Sequence, residues 1–524
     1  MDNPLTALAT ADSGSQDRGA ATAQVHADGE APRPTATGPS LTALVVKGTA
    51  WVFAGKVLSR GMSVAQLFIL ARLLLPKDFG LFAIVMLALG TLDTFTQTGF
   101  DMALIQRREN TEDYLDTAWT VQVVRGFLLA GSLFAIAPLV GWFFDEPRVV
   151  PLLRLLCVMK VLEGFTNIGI LYFRKEFQFH KQVVYDLMTS TVALAVGVVL
   201  AYRLRSVWAL VWAAIAGAFT GAVLSYLLHP YRPRPHYNAA QAKELFRFGR
   251  WMLGSNIVFF LSTRLDPALV GKLLGAGALG VYSMAYMISN RPANETVYLM
   301  NPVMMPAFAK LQEDRRRLGS AFLQMFELVM SLAIPFTAFI ILAAPQIVLG
   351  LLGPQWTAAV LPLRILAVAG FFLSVNATGR PLFVGSGHPH MDFRMNLIRA
   401  VVLAVTVYPL THLFGVPGTS LAVVLSLAST LPVWATVRSI ADISWAAILR
   451  ATTEGFLLAG LVAIAVLAIR VVTPGMSPIV TLVLQSAATA LICGAAVLLA
   501  GRLFNRGLSV HVRKAWTAMT KHAA

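Results

Sequence analysis

The chain has 524 residues, of which 57% are hydrophobic and only 13% are charged, and its mean hydropathy is +0.68. Soluble domains carry about 25% charged residues, so this composition excludes a water-soluble fold and predicts a polytopic membrane protein. The net charge of +16 would suit a nucleic-acid partner, but the distribution of the basic residues along the chain excludes that class.

Apolar stretches recur along almost the whole chain, and about 20 apolar residues are enough to cross the hydrocarbon core of a bilayer. Residues 1–40 contain no such stretch and predict a disordered cytoplasmic tail. Six spans are then predicted in an N-terminal lobe covering residues 41–228, at 45–71, 79–105, 115–143, 151–173, 182–203 and 206–228.

A polar linker is predicted at residues 229–245, before a second set of spans. The C-terminal lobe covers 246–440, with spans at 246–272, 279–307, 320–349, 358–385, 391–413 and 416–437. Residues 441–503 carry two additional spans, at 445–471 and 477–502, and 504–524 form a cytoplasmic tail. The predicted fold is therefore all-α, with about fourteen transmembrane helices in two six-helix lobes plus two C-terminal helices.

The basic residues concentrate in alternate loops, such as the linker and the Arg315–Arg317 run, whereas the loops between them carry few. This is the positive-inside bias, which places Lys and Arg in cytoplasmic loops. It predicts that both termini are cytoplasmic and that most of the positive charge sets topology rather than binding a ligand.

Two segments are repeated in the two lobes. ARLLLPKDFGLF (71–82) aligns with GKLLGAGALGVY (271–282), and LRLLCV (153–158) aligns with LRILAV (363–368). Because six helices is an even number, the two lobes share one orientation and pair about an axis along the membrane normal. By analogy with other carriers, such lobes leave a cleft between them where a substrate binds.

Ionisable side chains at membrane depth are costly and usually face a cavity or a partner. A water-filled cationic cleft would suit an anionic substrate such as a diphosphate, since arginine donates paired hydrogen bonds to phosphate. Lys56 and Asp101 could instead snorkel to the headgroups from helix ends, and Arg291 with Glu295 could be an internal ion pair. The substrate-binding candidates are Lys56, Arg60, Arg125, Arg264 and Arg291, and the ion-coupling candidates are Asp93, Asp101, Asp266 and Glu295.

Other motifs predict little chemistry. The chain has no GxxxxGK[ST] phosphate loop and no plausible nucleophile–base pair, so we expect neither ATP hydrolysis by that route nor catalysis. His388 and His390 with Asp392 make a poor metal site, and no cofactor is expected. GPQW (353–356) and FDEP (144–147) are interpreted as turns. A proton or sodium gradient, the membrane potential or substrate consumption would drive transport.

An ordered set of segments resembles bacterial polysaccharide flippases over roughly residues 45–440. The segments are ARLLLPKDFGLFAIVM (71–86), TGFDMALIQRREN (98–110), LDTAW (115–119), FDEPRVVPLLRLLCV (144–158), FRFGRWMLGSNI (246–257), LDPALVGKLLGAGALGVYSMAY (265–286) and PAFAKLQED (306–314). These flippases form the polysaccharide transporter branch of the multidrug/oligosaccharidyl-lipid/polysaccharide exporter superfamily, with the colanic-acid-type exporters and the O-antigen flippases.

The resemblance implies a two-lobe carrier, not an enzyme, that flips undecaprenyl-diphosphate-linked oligosaccharides across the bacterial inner membrane for exopolysaccharide or lipopolysaccharide synthesis. Its partners would be that lipid-linked oligosaccharide, membrane lipids, and the polysaccharide polymerase and export machinery. Arg60, Arg264 and Arg291 are the candidates for holding the diphosphate. Related sequences often have a basic residue where this chain has Asn301-Pro302, so that charge must come from Arg291 or be missing.

Three alternatives stay open. An ion-coupled multidrug exporter of the same superfamily would favour a cavity lined by unpaired acids and aromatic residues. A membrane polysaccharide polymerase or glycosyltransferase would need a large outer loop with catalytic residues, and no predicted outer loop reaches that size. A flippase for the peptidoglycan precursor would share the predicted architecture.

Overall fold

The computed structural model describes the backbone of residues 55, 58–59, 61–96, 112–175 and 178–503, and most side chains within these ranges. Their regular structure is entirely helical, which confirms the predicted all-α membrane fold. The first half contains α1 (Gly61–Leu73), α2 (Pro76–Thr96), α3 (Glu112–Phe143), α4 (Val149–Gly164), α5 (Leu171–Lys175), α6 (Phe179–Leu204) and α7 (Trp208–Leu228). The predicted tails at 1–40 and 504–524 lie outside the described residues.

The second half begins at Ala239 and contains two helices that are each interrupted by a glycine with positive φ. Gly275 (φ 81°) divides α8 (Ala239–Leu311) into α8a (239–274) and α8b (276–311), and Gly415 (φ 62°) divides α11 (Pro389–Ala428) into α11a (389–414) and α11b (416–428). Glycine adopts this backbone without the penalty that a Cβ imposes. The other helices are α9 (Arg315–Ile347), α10 (Val360–Gly385), α12 (Trp434–Ala441), α13 (Trp445–Val472) and α14 (Pro478–Leu503).

Ten helical stretches among the described residues are long and apolar enough to cross a membrane, against about fourteen predicted. The predicted pairs on either side of Gly275 and of Gly415 each count as one stretch because helical backbone continues on both sides of the glycine. The predicted span at 151–173 is the 16-residue α4 followed by a short 3₁₀ turn. The first predicted span, at 45–71, lies partly outside the described residues.

Among the described side chains, the two halves of the chain share a buried core at one end of the bundle and not at the other. The largest hydrophobic cluster combines first-half residues such as Leu81 and Leu152 with second-half residues such as Leu279 and Leu363. We call this the sealed end; it carries the loops at 74–75, 144–148 and 348–359. At the opposite end, which we call the linker end, one cluster around Trp119 draws on the first half and another around Phe322 draws on the second.

Two loops that were interpreted as turns join the halves at the sealed end, so that interpretation was incomplete. The Trp356 indole Nε1 donates a 2.8 Å hydrogen bond to the Ala71 carbonyl, and the Gln355 amide donates to the same oxygen at 3.0 Å. These bonds cap the C-terminal carbonyls of α1, which have no partner within the helix. In the other loop, Asp145 pairs with Lys272 of the second half at 2.8 Å.

The connection between the halves is held against the first half. The linker backbone N–H groups of Arg234 and His236 donate to Asp116 Oδ1 at 2.8 Å and to Thr120 Oγ1 at 3.0 Å. The Tyr231 hydroxyl donates to the same Asp116 carboxylate. Burial, followed by this carboxylate, raises the pKa of Tyr231, so the hydroxyl keeps its proton at physiological pH. Only residues 229–238 of the predicted linker are non-helical, because α8 begins at Ala239.

Asn167, which is fully buried, ties this linker to the end of α4. Its side-chain amide donates to the Tyr231 carbonyl at 2.6 Å, its Oδ1 accepts from the Gly169 N–H at 2.9 Å, and its own N–H donates to Ser225 Oγ at 2.9 Å. One side chain therefore fixes the 3₁₀ turn after α4, and with its backbone links that turn to α7 and to the linker.

We expect Asn167→Ala to lower the free energy of unfolding by about 2–3 kcal/mol, since each buried polar group left unpaired costs about 1–3 kcal/mol. Thermal unfolding of the purified protein in detergent measures this. Asn396→Ala is the matched control, because its amide makes a local 2.9 Å bond to Asp392 within α11a and should matter by less than about 1 kcal/mol. Equal stability of the Asn167 variant and wild type would contradict this role.

Candidate functional site

The predicted site residues fall partly outside the described part of the chain. Lys56, Arg60 and Asp101 lie among undescribed residues, and Glu295 lies in α8b where the side chain is not described. Their roles stay predictions. The remaining five candidates separate into two groups, one in each half of the chain: Asp93 and Arg125 in the first, and Arg264, Asp266 and Arg291 in the second.

In the first half, four charged side chains from three helices form what we call the charge quartet: Asp93, Arg125, Lys160 and Glu163. Arg125 Nη2 lies 2.9 Å from Asp93 Oδ1. The Lys160 ammonium binds the other oxygen of Asp93 and also lies 2.8 Å from Glu163 Oε2. Two positive and two negative charges are thus paired within one cluster of the first half.

The quartet changes how Arg125 is interpreted. The sequence showed no acid four residues from it, but Asp93 reaches it from α2. Arg125 also donates from Nε to the Thr96 carbonyl at 2.9 Å, so its guanidinium is committed at two positions. Such a residue would have to exchange partners to bind a phosphate, and the quartet as a whole carries no net charge.

Two members of the quartet, Lys160 and Glu163, were missed in the sequence. They are three residues apart on α4, and such spacing places side chains on one face of a helix. Lys160 is the more telling of the two because its side chain is only 7% exposed. A Lys–Glu pair at this spacing inside an apolar span was the available signal, and it pointed to a buried ion pair.

The quartet is supported by Gln122 of α3. Its side-chain amide donates to the carbonyls of Glu163, Gly164 and Thr166, each at 3.1 Å. The first two carbonyls belong to the last turn of α4, where helical partners run out, and Thr166 lies just beyond the helix end. Gln122 therefore holds the end of α4 against α3 and fixes the backbone that carries Glu163.

In the second half, Asp266 lies in a buried polar cluster between α8a, α8b and α11a. It is 3% exposed and accepts a hydrogen bond from the Tyr282 hydroxyl. Tyr286 and Arg399 lie close enough to interact electrostatically with it. Tyr282, Tyr286 and Arg399 were not predicted. The two tyrosines meet Asp266 because the chain reverses at Gly275, and Arg399 approaches from α11a.

The two arginine candidates of the second half differ in how exposed their side chains are. Arg264 is exposed, although it is two residues from buried Asp266, as expected for positions on different sides of a helix. Arg291 of α8b is half-buried. Neither makes an ion pair with any side chain that the structure describes, whereas the guanidinium of Arg125 does.

Groups of three or more potential metal ligands are absent from the described residues, including the region of His388 and His390.

Comparison with known proteins identifies the family. The model of the family described as polysaccharide biosynthesis protein matches residues 69–361. The chain belongs to this family. The match covers the sealed end, the charge quartet, and Asp266 with its hydrogen-bond partner Tyr282, whereas Arg399 lies beyond it.

Relatives within and around the family have names that agree with this assignment. The chain is 25% identical over 392 residues to the lipopolysaccharide biosynthesis protein WzxC of Escherichia coli (strain K12), covering 74% of this chain and 79% of that protein. It is 25% identical over 358 residues to the succinoglycan biosynthesis transport protein ExoT of Rhizobium meliloti (strain 1021), covering 68% and 72%. The predicted resemblance to polysaccharide flippases is therefore confirmed.

Solved structures show the fold of this polysaccharide biosynthesis protein. The lipid II flippase MurJ in an inward closed conformation superposes with a TM-score of 0.67 at 11% identity, covering 86% of this chain and 99% of MurJ. An inward-facing multidrug resistance MATE family transporter gives 0.58 at 16% identity, covering 78% and 98%. The chain is a multi-pass membrane protein with the fold of these carriers.

Proposed function

We propose that this protein is a flippase that translocates undecaprenyl-diphosphate-linked oligosaccharide repeat units across the bacterial inner membrane. The observation that carries the proposal is the family match over residues 69–361, which lies within a fold shared with a lipid flippase. The protein acts as a carrier rather than as an enzyme, and its repeat units supply exopolysaccharide or lipopolysaccharide synthesis.

The proposed mechanism is alternating access of two six-helix lobes, with the last two helices attached to the second lobe. The separate buried clusters at the linker end and the joint cluster at the sealed end support it. The bias of basic residues supports an orientation in which the linker end and both termini face the cytoplasm. In this orientation the described arrangement would admit a substrate from the cytoplasmic side.

The proposal is tested in cells that lack this protein, by extracting polyprenyl-linked intermediates and determining which face of the inner membrane they occupy. We expect a complete diphosphate-linked repeat unit to accumulate on the cytoplasmic face while surface polymer is lost. Accumulation on the outer face would indicate a polymerase defect instead. Normal polymer without accumulated lipid would contradict the proposed function.

Arg264 is the described residue that we propose to contact the diphosphate, because it is exposed and makes no ion pair with a described side chain. We expect Arg264→Ala to reduce surface polymer about tenfold, which corresponds to the loss of one charge-assisted hydrogen bond. Polymer is quantified per unit of membrane-inserted protein. Arg450→Ala, at an exposed position near the start of α13, is the control and should leave polymer unchanged. Wild-type polymer in the Arg264 variant would exclude this role.

For energy coupling we propose Asp266, since Asp93 is already held by two cations. The described surroundings of Asp266 include a tyrosine hydroxyl and the more distant Arg399. In proteoliposomes with an imposed proton or sodium gradient, Asp266→Asn should abolish the dependence of flipping on one of these gradients. Gradient dependence identical to wild type would exclude Asp266 from coupling.

A further inference from the structure

The halves meet at the sealed end through two glycines that occupy equivalent positions in the repeat. A Cβ on Gly80 of α2 would overlap the Ala276 carbonyl oxygen and lie 3.0 Å from the Gly280 nitrogen. A Cβ on Gly280 of α8b would overlap the Pro76 carbonyl oxygen and lie 3.0 Å from the Gly80 nitrogen. The two helices therefore cross backbone against backbone, at a distance that only glycine allows.

This crossing follows the repeat residue by residue. Pro76 and Ala276 are 200 positions apart, as are Gly80 and Gly280, and this is the offset between ARLLLPKDFGLF and GKLLGAGALGVY. Gly80 contacts Ala276, and Gly280 contacts Pro76, which is the residue equivalent to Ala276 in the repeat. The contact is thus reciprocal, as expected where a two-fold axis passes through an interface.

A second pair of equivalent residues flanks the crossing. Arg72 donates from Nε to the Leu351 carbonyl at 3.2 Å and from Nη2 to the Gly350 carbonyl. Lys272, 200 positions later, pairs with Asp145 at 2.8 Å. Each cation stands at the end of the first helix of its half and reaches the loop between the third and fourth helices of the other half.

All these contacts connect one half of the chain with the other. They could be broken without disturbing the hydrophobic clusters at the linker end, each of which lies within one half. The crossing itself is backbone against backbone and is flanked by two polar clamps. Parting the halves here also divides the largest hydrophobic cluster, which draws on both of them, so the contacts at this end favour the closed state.

We propose that the Gly80–Gly280 crossing is the closing contact of a gate at the sealed end, with Arg72 and Lys272 as its two clamps. The direction of transport through this gate rests on the proposed flippase function. In the closed state the two helices touch at this crossing. Release of the substrate at the sealed end requires Gly80 and Gly280 to part.

Alanine at either position disturbs the closed gate without weakening the helix that carries it. Alanine is a better helix former than glycine, so Gly80→Ala should not weaken α2. Its methyl group nevertheless overlaps the Ala276 carbonyl when the gate is closed, and backbone cannot move aside as a flexible side chain would. The variant is therefore expected to favour the open gate.

The test measures the distance between nitroxide labels on the two halves by pulsed electron paramagnetic resonance, using the full chain in lipid nanodiscs. The labels replace exposed Arg148 and Ala358 near the sealed end, and Cys157 and Cys493 are changed to serine. We expect the ratio of long to short distances to rise at least about tenfold in Gly80→Ala and in Gly280→Ala, as overpacking predicts.

Gly277→Ala is the matched control, because Gly277 lies on the same helix as Gly280 and its Cβ would meet no atom within 4 Å. It should keep the wild-type distances. Lys272→Gln provides an independent variant that adds no atoms to the crossing and should shift the ratio in the same direction by a smaller factor. Unchanged distances in both alanine variants, or equal shifts in the control, would overturn the gate.

The distance measurement does not depend on transport. If cells lacking the protein show no accumulated lipid-linked repeat, the proposed function fails while the gate can still be observed. If the lipid-linked repeat accumulates in those cells but both alanine variants keep wild-type distances, the proposed flippase function stands and the proposed gate is wrong.

Discussion

Trp356→Ala is expected to lower the free energy of unfolding by about 3–5 kcal/mol, the usual cost of truncating a fully buried large aromatic side chain. Trp356 is 0% exposed, and its ring packs edge to face on Phe79 with the centroids 5.3 Å apart. Phe79 belongs to the first half of the chain and Trp356 to the second. The cavity would therefore open between the halves, and we expect the sealed end to admit water-soluble thiol reagents more readily.

Trp356→Phe distinguishes packing from hydrogen bonding. It removes the indole N–H from Ala71 but leaves that carbonyl paired with the Gln355 amide at 3.0 Å. The expected loss is about 1 kcal/mol, the net contribution of one hydrogen bond. Trp445→Ala, at a position that is 44% exposed, is the control. Thermal unfolding that ranks Trp445→Ala with Trp356→Ala would contradict the assignment.

Asp93→Asn is expected to destabilise the protein by about 3 kcal/mol, because removing one partner of a buried ion pair leaves an uncompensated charge. The charge that loses its partner is the Lys160 ammonium, whose side chain is 7% exposed and which would retain Glu163 alone. Glu163→Gln should cost less, since its side chain is 47% exposed and water replaces the lost charge.

The double variant Asp93→Asn, Lys160→Met tests this explanation. An apolar side chain of similar length removes the buried charge, and replacing buried ion pairs in this way is often neutral. We expect the double variant to recover most of the stability, with a coupling energy of about 1–3 kcal/mol. Additive losses in thermal unfolding would show that Asp93 and Lys160 act independently.

The helical layout could be predicted from the sequence because the bilayer imposes a length and a polarity on every span. The end of α4 could not, because it depends on Asn167. The apolar run continues to residue 173, but the Asn167 side chain accepts from the Gly169 N–H and draws its own backbone toward Ser225. A local pattern of hydropathy contains no information on that tertiary partner.

Asp93 and Arg125 were named as candidates from the sequence, but their pairing with each other was missed. A search for acids four residues from Arg125 tests only one helix, whereas Asp93 and Lys160 approach from α2 and α4. For the same reason GPQW (353–356) had the composition of a turn, and nothing local showed that Trp356 caps a helix 285 residues earlier. The repeats were the long-range signal in the sequence, and Gly80 and Gly280 lie within the one at an offset of 200.

The fixed linker has a mechanical consequence for the proposed gate. Residues 229–238 are bound to α3 and to Asn167, and α8 starts at once, so the covalent join offers no slack for sliding. The two halves would then rotate relative to each other about the linker end, and the Gly80–Gly280 crossing lies about 30 Å away across the hydrocarbon core. Each ångström of parting between Gly80 and Gly280 needs only about 2° of rotation over that distance.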